Sequence, residues 1–480
     1  MTNERLVFDI ENNGFLPDTD TVHCLVIQDV DTGEVTRYND QGDYLRLHAG
    51  IRRLELAKEL IGHNIIGHDI PVLEKCYPWF NPLGKIIDTL VLSRVIFTDM
   101  LGRDMLSNNQ DLPKEMKGRH SLEAWGYRLR EHKGGSPESW DHWSQYMEDY
   151  CVQDVAVNLK LYKLQLSKNY SQQCLDLEND FASIIHKQKT HGWNFDVAGA
   201  EKLYVELLAK KTEAEQNLQE IFPPVKVTMK TPQYWEIEGN DHFHKYYYQA
   251  PTKGELVKLI ISKGLKYSRV KDQVKKGPMK VKLIPFNPGS TKQIAQRLIE
   301  KYGWKPTEFT EETKEPKISE EILDALDYPE IPALQLYLMV KKRISQLAEG
   351  ETAWLKMVTP EGRIHGSINT NGAVTGRCTH SGPNTGNVPA AYSPYGPECR
   401  GLWLPSLGMK AVGWDGSGLE LRCLGHYMTP YDGGAYTREI LEGDIHTVNQ
   451  KAAGLETRDQ AKTFIYAFLY GAGDEKIGSI

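Results

Sequence analysis

The chain has 480 residues and a formal net charge of −7 at pH 7. This length predicts two to four domains, and the acidic balance excludes general attraction of nucleic acid, so a polyanion site must be local. No apolar run approaches the roughly 20 residues of a membrane span, and no signal peptide is visible. Seven scattered cysteines without a Cys-x-x-Cys pair fit a reducing compartment. We therefore expect a cytoplasmic location and no membrane partner.

The first 160 or so residues alternate strand and helix patterns. Residues 6–10 and 23–27 are typical of strands between turns. Residues 88–94 and 145–164 carry apolar residues at helical spacing. This alternation predicts an α/β domain.

Long helical patterns dominate residues 171–365, with Ser319 as a predicted N-cap. The longest apolar periodicities cover residues 174–190, 197–222 and 332–357. Between the last two, residues 223–285 hold 13 Lys and Arg against 5 Asp and Glu, hence a net charge of +8, with interleaved aromatic residues. This composition predicts an inserted subdomain or a long loop. A nucleic-acid contact and an ordinary solvated lysine surface fit it equally well.

From residue 366 the chain is rich in Gly and Asn. Residues 411–414 then have the pattern of a strand, and the remainder is helical in pattern. We expect an α+β arrangement in this last part of the chain.

The N-terminal region contains five residues suited to metal-dependent hydrolysis. Asp9 and Glu11 stand two apart in a predicted strand, so their side chains share a face. Tyr150 and Asp154, four apart on a predicted helix, lie side by side. With Asp69, these carboxylates can hold two Mg²⁺ ions that activate water and stabilise a leaving oxygen. Each pair alone is a weak signal, and Asp69 also fits a helix N-cap.

In this order, the five residues resemble the DEDDy family of 3′–5′ proofreading exonucleases. Asp88-Thr-Leu and Ser121-Leu-Glu-Ala-Trp-Gly also match that domain. The resemblance implies an RNase H-like α/β exonuclease domain, a mixed sheet flanked by helices, over residues 1–170. It implies metal ligation by Asp9, Glu11, Asp69 and Asp154, and positioning of the attacking water by Tyr150.

Two polar segments of the C-terminal region are candidates for phosphate or metal contact. Thr375-Gly376-Arg377 lies in a Gly-rich stretch and is followed by a Pro-Asn-x-x-Asn-x-Pro segment that contains Asn384. Such loops let the backbone approach a phosphate chain, and Arg377 can add a bidentate contact, although composition alone favours a turn-rich connector. Asp415 ends an apolar run and is a candidate metal ligand.

Arg458, Lys462, Tyr466 and Tyr470 recur at every fourth residue of a predicted helix. Each step of four advances about 400°, so the residues form a stripe that drifts roughly 40° per step. The two cations can bind a triphosphate while Tyr466 packs on a sugar or base; a solvated cationic face is the alternative. His446 is a further candidate phosphate donor, although a lone histidine is more often structural.

These motifs resemble the family A (Pol I-like) DNA polymerases, especially the replicative enzymes of short-tailed bacteriophages, over nearly the whole chain. The resemblance implies a helical thumb over residues 171–365 and an incomplete α+β palm with partial helical fingers over residues 366–480. It implies metal ligation by Asp415, deoxynucleotide selection by Glu420, triphosphate binding by His446, Arg458 and Lys462, sugar contact by Tyr466, and DNA contact by Arg377, Asn384 and Tyr470.

The resemblance further implies primer–template DNA and dNTPs as partners, and two Mg²⁺ ions per active site, with Mn²⁺ as an alternative. Gly416 and Thr385-Gly386 depart from the family pattern at positions of template contact. The family's second catalytic aspartate stands in a His-Asp-Glu motif that does not occur after Asp415. We therefore expect a truncated or split polymerase that needs a second polypeptide to supply this segment.

Two questions of partner and activity stay open at this point. Residues 223–285 occupy the place where some phage relatives recruit thioredoxin, so a thioredoxin-like or other processivity factor and DNA are alternative partners. A stand-alone 3′–5′ exonuclease with a DNA-binding polymerase remnant is a rival interpretation of the whole chain. A DNA-binding subunit with decayed sites is a second rival, which the complete carboxylate set opposes.

Overall fold

The computed structural model describes residues 1–43, 45–107, 109–131, 135–240 and 244–480, so residues 241–243 of the predicted insertion lie outside the described residues. The polypeptide forms two compact units, residues 1–406 and residues 407–480. The boundaries predicted near residues 170 and 365 are different divisions and stay predictions. None of the described helices combines the length and the apolar character that crossing a bilayer requires.

The first unit begins with a five-stranded sheet and its flanking helices. Its elements are β1 (Arg5–Asn12), β2 (Val22–Asp29), β3 (Val35–Asn39), α1 (Leu47–Leu56), β4 (Glu59–Gly62), α2 (Asp69–Cys76), β5 (Lys85–Asp88), α3 (Thr89–Ile96), α4 (Met100–Leu106), α5 (Leu122–Leu129) and α6 (Gln145–Leu166). The strand order is β3-β2-β1-β4-β5, and β1 pairs antiparallel with β2 and parallel with β4. The expected α/β architecture with a mixed sheet is therefore present.

Strand β1 is buried on both faces, which determines where its carboxylates point. Leu6 and Phe8 pack in a cluster with residues of α1 and α2. Val7 packs on the other face, in a cluster that includes Met147 of α6. Because alternate strand residues face opposite sides, Asp9 and Glu11 share the face of Val7 and point towards α6. A register slip of one residue would turn both carboxylates into the apolar cluster of Leu6 and Phe8, so packing on both faces holds this orientation.

The unit continues through a mainly helical region. Its elements are α7 (Gln172–His191), β6 (Trp193–Phe195), α8 (Val197–Ile221), β7 (Val225–Pro232), β8 (Trp235–Asn240), β9 (Lys245–Ala250), α9 (Lys253–Ser262), α10 (Tyr267–Val270), β10 (Val274–Lys276), β11 (Met279–Ile284), α11 (Thr291–Tyr302), α12 (Glu320–Asp324), α13 (Ile331–Ile344), β12 (Arg363–Ile364), β13 (Ser367–Asn369), β14 (Thr379–Ser381), α14 (Gly396–Gly401) and β15 (Trp403–Leu404). Ser319 caps α12 by accepting a hydrogen bond from Ile322 N, as predicted.

The helix predicted over residues 332–357 is wrong in its second half. The α-helix ends at Ile344 and continues as one π-helical turn over Ser345–Glu349, where Gly350 N donates to Ser345 O at 2.9 Å. Glycine weakens helix continuation, and the chain leaves the helix at Gly350. This break lets Trp354 turn inward, where its ring meets Phe195 and Trp403 edge-on at 6.3 and 5.4 Å.

The basic segment predicted as a subdomain or long loop is folded in its described part. Strands β7 and β11 form a two-stranded ribbon, and β10, β8 and β9 form a separate sheet. Helix α9 packs on that sheet around Ile237, Leu256 and Ile260, which are all fully buried. The ammonium groups of Lys253 and Lys276 lie 5.3 and 5.6 Å from the ring centre of Trp235. The described part of this segment is therefore folded into strands and helices, and its status as an inserted subdomain stays a prediction.

The second unit is helical and contains α15 (Leu419–Asp432), α16 (Ala435–Glu442), α17 (Ile445–Ala453), α18 (Arg458–Leu469) and α19 (Asp474–Gly478). The strand predicted over residues 411–414 is wrong. Val412 and Trp414 are 86% and 91% exposed, and no strand among the described residues pairs with them. An apolar run forms a strand only when a neighbouring strand satisfies its backbone groups, and the described chain offers none here.

Candidate active sites

The sheet and α6 bring the predicted N-terminal carboxylates together. Glu11 is 7% exposed and stands opposite Cys24 of β2, and Asp9 stands opposite Val26. Cys151 of α6 packs against them: its Sγ donates to the carbonyl oxygen of Asp9 at 3.3 Å and lies 3.5 Å from Asp9 Oδ2. Donor atoms of Asp9, Glu11 and Cys151 all lie within 4.8 Å of one another. Strand alternation and one helix face thus build a compact donor set.

Asp69 and Asp154 complete the group of four acids. Asp69 is the first residue of α2 and is buried, with Oδ1 accepting a hydrogen bond from Ile10 N at 3.3 Å. The alternative role as N-cap is wrong, because His68 occupies that position. Asp154 is buried on α6, three residues after Cys151. These elements converge on the end of β1.

Burial and mutual repulsion perturb this group strongly. Burial, followed by the nearby charge of Asp9, raises the pKa of Glu11 to about 11, and Asp154 and Asp69 raise it further. Burial also raises the pKa of Asp69 to about 7, although backbone N–H groups that donate to it oppose the rise. The side chain of Glu11 forms no hydrogen bond with any described residue. Buried carboxylates of this kind need protons or cations for compensation.

The donor chemistry fits a hard divalent cation. Carboxylate oxygens are the protein ligands that Mg²⁺ prefers, and Glu11 is a buried carboxylate without a hydrogen-bond partner in the described chain. Asp9, Glu11, Asp69 and Asp154 would hold the ions. Tyr150, on the turn before Asp154, is half-buried and meets the ring of Trp140 edge-on at 6.2 Å.

Asp88, which the sequence linked to the same domain, has a supporting role in the structure. Its carboxylate accepts hydrogen bonds from Asn64 N at 2.9 Å and Ile66 N at 3.1 Å, and it caps α3 through Leu90 N. Asp88 therefore holds the loop that precedes α2 and, through it, the position of Asp69.

Cys151 was not among the predicted site residues. The residue lies next to Tyr150 and three residues before Asp154, so the helical spacing that pairs those two also places its side chain towards the carboxylates. It was counted only among the scattered cysteines.

The second unit gathers most of the predicted nucleotide-binding residues. Tyr470 Oη donates to Glu420 Oε1 at 3.3 Å, which links the end of α18 to the start of α15. Burial raises the pKa of Tyr466, and the charge of Glu420 contributes to the rise. The ring of His446 lies 6.4 Å from that of Tyr466. The predicted stripe is thus one continuous surface with Glu420 and His446.

An ion pair between Arg458 and Asp444 lies at the cationic end of this surface. Arg458 donates from Nε to Asp444 Oδ2 at 2.8 Å and from Nη2 to Asp444 Oδ1 at 3.1 Å. Asp444 also caps α17 through His446 N, and the Arg458 guanidinium holds the pKa of Asp444 far below its usual range. Burial, followed by the charge of Arg458, lowers the pKa of His446, with a smaller contribution from Lys462. The buried Nδ1 of His446 has no hydrogen-bond partner among described residues.

Asp415 stands apart from these contacts. It lies in the exposed coil before α15 and forms no hydrogen bond or ion pair with any described residue.

In the first unit, the predicted DNA-contact residues Arg377 and Asn384 are both exposed. Arg377 lies on the loop that joins β13 to β14, and Asn384 lies just after β14. Gly376 adopts a φ of 80° there, a conformation that favours glycine, and the turn closes by Ala373 N donating to Arg377 O.

Comparison with known proteins supports the resemblance found in the sequence. A sequence model of "DNA polymerase family A" matches residues 265–479. The chain is 38% identical to the DNA-directed DNA polymerases of Enterobacteria phage T3 and Escherichia phage T7, in each case over 99% of this chain and 77% of the relative. The solved POL domain of Pol1 from M. smegmatis, in complex with DNA primer-template and dNTP, superposes with a TM-score of 0.62 at 15% identity. That superposition covers 100% of this chain and 69% of the other and shows a shared fold.

Proposed function

The chain belongs to family A of the DNA polymerases and is a DNA-directed DNA polymerase of the phage type; we propose that its residues 1–170 form a 3′–5′ exonuclease domain that removes nucleotides from a DNA 3′ end. Residues 171–365 are its thumb, and residues 366–480 belong to its palm and fingers. Primer–template DNA and dNTPs are its substrates. The buried group of four acids around Glu11 is the observation that carries the exonuclease assignment.

The carboxylates explain why such a site hydrolyses phosphodiesters. Cations held by Asp9, Glu11, Asp69 and Asp154 would activate a water molecule and neutralise the leaving oxygen; Mg²⁺ is our proposal for the physiological ion. Tyr150 orients the water for attack on phosphorus. As the new O–P bond forms, the attacking water gives up a proton to solvent. The bond from phosphorus to the 3′ oxygen of the preceding nucleotide breaks, and that oxygen takes a proton from solvent.

Phe15 marks the side from which a DNA end approaches. Its side chain is 84% exposed, and the ring meets His68, the residue before Asp69, edge-on at 6.2 Å. Exposed aromatic rings beside a phosphate-binding site serve as stacking platforms for unpaired bases. We therefore assign to Phe15 a stacking contact with the terminal nucleotides.

The second unit supplies the nucleotide contacts of polymerisation in this proposal. Arg458, Lys462 and His446 bind the incoming triphosphate, and His446 can donate from one ring nitrogen. Arg458 is bound to Asp444, so a triphosphate must compete with that carboxylate for the guanidinium. Glu420 excludes a ribose 2′-hydroxyl, and Tyr466 and Tyr470 contact the sugar and the template base.

Polymerisation needs a second carboxylate beside Asp415, because two-metal transfer uses ligands that bridge ions about 3.5–4 Å apart. No described residue of the second unit pairs with Asp415 in this way. We propose that a second polypeptide supplies it in a His-Asp-Glu segment. Purified residues 1–480 should therefore not extend a primer on a template with Mg²⁺ and dNTPs. Extension that disappears in Asp415→Ala would contradict this proposal.

The exonuclease assignment is tested with 5′-labelled single-stranded DNA. The chain should shorten it from the 3′ end with Mg²⁺, and the Asp9→Ala, Glu11→Ala double variant should lose at least about 100-fold in rate, since metal-held charge stabilisation amounts to several kcal/mol. Glu34→Ala, an exposed acid of the same domain, is the control and should keep the wild-type rate. Equal rates in the double variant and the control would exclude the assigned site.

Residues 223–285 are proposed to increase the time the enzyme stays on DNA. The net charge of +8 and the Lys-flanked Trp235 favour direct contact with the DNA backbone. A thioredoxin-like or other clamp protein is the alternative partner. Replacing Lys253 and Lys276 by Glu should weaken duplex binding by the chain alone and lower its salt dependence. Unchanged binding would favour the clamp protein.

A further inference from the structure

The metal site differs from an all-carboxylate site in one respect, the thiol of Cys151. The Sγ atom is buried and lies 3.5 Å from Asp9 Oδ2, within the group of donors that includes Glu11. Glu11 is 7% exposed and has no hydrogen-bond partner in the described chain. Two carboxylates, one of them buried and uncompensated, thus share a small polar space with sulfur.

We propose that Asp9, Glu11 and Cys151 form a binding site for a thiophilic divalent cation such as Zn²⁺, Cd²⁺ or Co²⁺. Mg²⁺ takes oxygen ligands and has little affinity for sulfur, whereas Zn²⁺ combines thiolate and carboxylate ligands. On binding, the thiol loses its proton to solvent, and a metal–sulfur bond replaces a metal–water bond. The bound ion occupies carboxylates that the proposed exonuclease needs, so this ion blocks the Mg²⁺ site.

The geometry suits such an ion with little rearrangement. Metal–ligand bonds of about 2.0–2.3 Å in a tetrahedral site place neighbouring ligands about 3.5 Å apart. The Asp9 Oδ2 to Cys151 Sγ separation already has this value. The remaining donor distances are at most 4.8 Å, so a side-chain shift of about 1 Å closes the set. A solvent molecule is left as the fourth ligand.

Cys24 provides a matched control in the same environment. It is fully buried, stands opposite Glu11 on the adjacent strand and packs in the same apolar cluster as Cys151. It is not among the donors that lie within 4.8 Å of one another. A Cys24→Ser variant therefore removes a buried thiol without removing a proposed ligand.

Cobalt absorption tests the proposal without any nuclease assay. Metal-free chain titrated with Co²⁺ should develop the near-ultraviolet band of a cobalt–thiolate bond. The band should be absent in Cys151→Ser, reduced in the Asp9→Asn, Glu11→Gln variant that keeps the thiol, and retained in Cys24→Ser. Isothermal titration with Cd²⁺ should show at least about tenfold weaker binding to Cys151→Ser. Circular dichroism of each variant verifies that it is folded.

The outcomes separate this proposal from the exonuclease proposal. A cobalt–thiolate band that survives in Cys151→Ser, or is lost equally in Cys24→Ser, would overturn the assigned ligand. A band that is unchanged in the carboxylate variant would show that sulfur binds the ion without Asp9 and Glu11, and would also overturn it. Absence of Mg²⁺-dependent degradation in the wild-type chain would instead refute the exonuclease and leave the cobalt result valid.

Discussion

The carboxylate site of the first unit and the cationic surface of the second unit are built in opposite ways. Glu11, Asp69 and Asp154 are buried between a sheet and helices, whereas Arg458, Lys462 and Glu420 are exposed. The first site places like charges together and raises the pKa of Glu11 to about 11 through burial and then through Asp9. The second pairs opposite charges and lowers the pKa of Asp444.

This difference shows two ways of preparing for a charged ligand. The buried acids are held apart from water by the apolar clusters of β1 and α6, so Glu11 has to take up a proton or a cation to offset its burial beside Asp9. The exposed cations are screened by solvent. One of them, Arg458, forms an ion pair with Asp444, and a triphosphate can replace that carboxylate. Tertiary packing thus determines the geometry of the first site, whereas contacts between the ends of neighbouring helices determine the geometry of the second.

The largest expected effect is on nucleotide binding at the cationic surface. Replacing Arg458 and Lys462 together by Ala should weaken binding of a fluorescent Mg²⁺–dNTP analogue by about 100-fold, because each charge-assisted contact accounts for roughly tenfold. Lys451→Ala, an exposed lysine at the end of α17, should bind like the wild type. Equal weakening in the control would mean that general charge, rather than this stripe, binds the nucleotide.

A second, smaller effect tests the approach to the buried site. Phe15→Ala should weaken binding of a single-stranded 3′ end by about tenfold, within the range measured for loss of one base–aromatic stack. Leu106→Ala removes an apolar side chain that is 88% exposed at the end of α4 and should leave the affinity unchanged. Fluorescence anisotropy in EDTA measures both affinities without degradation. If Phe15→Ala binds the 3′ end as tightly as the wild type, the proposed stacking contact of Phe15 is wrong.

The smallest expected effect is on stability, because burying the acids lowers the free energy of unfolding. Glu11→Gln keeps the shape of the side chain but makes it permanently neutral, so folding near neutral pH no longer has to protonate a carboxylate whose pKa burial raises to about 11. The unfolding midpoint of the metal-free chain should therefore rise by about 2–4 °C while exonuclease activity is lost. Glu55→Gln is the contrasting case, because buried Glu55 forms an ion pair with Arg52 and should lose stability. Differential scanning calorimetry in EDTA gives both midpoints. A lowered midpoint in Glu11→Gln would show that the carboxylate is compensated by other groups.

Much of the local structure could be predicted because it depends on nearby residues. Apolar alternation predicted β1 and β2, and helical spacing predicted α3, α6, α7 and α8 to within a few residues. The strand over residues 411–414 failed because strand formation depends on a partner, which a single segment does not reveal. The helix over residues 332–357 failed at Gly350, where the burial of Trp354 outweighed helical continuation.

The sequence by itself determined the family, the order of the motifs and the stripe of Arg458, Lys462 and Tyr466, because spacing on one helix needs no tertiary information. Only the tertiary structure decided which distant groups meet. Packing of α6 on β1 brings Cys151 against Asp9 and leaves Glu11 without a hydrogen bond, across more than 130 positions of sequence. Such contacts follow from the burial of apolar faces, which the spacing of polar residues does not record.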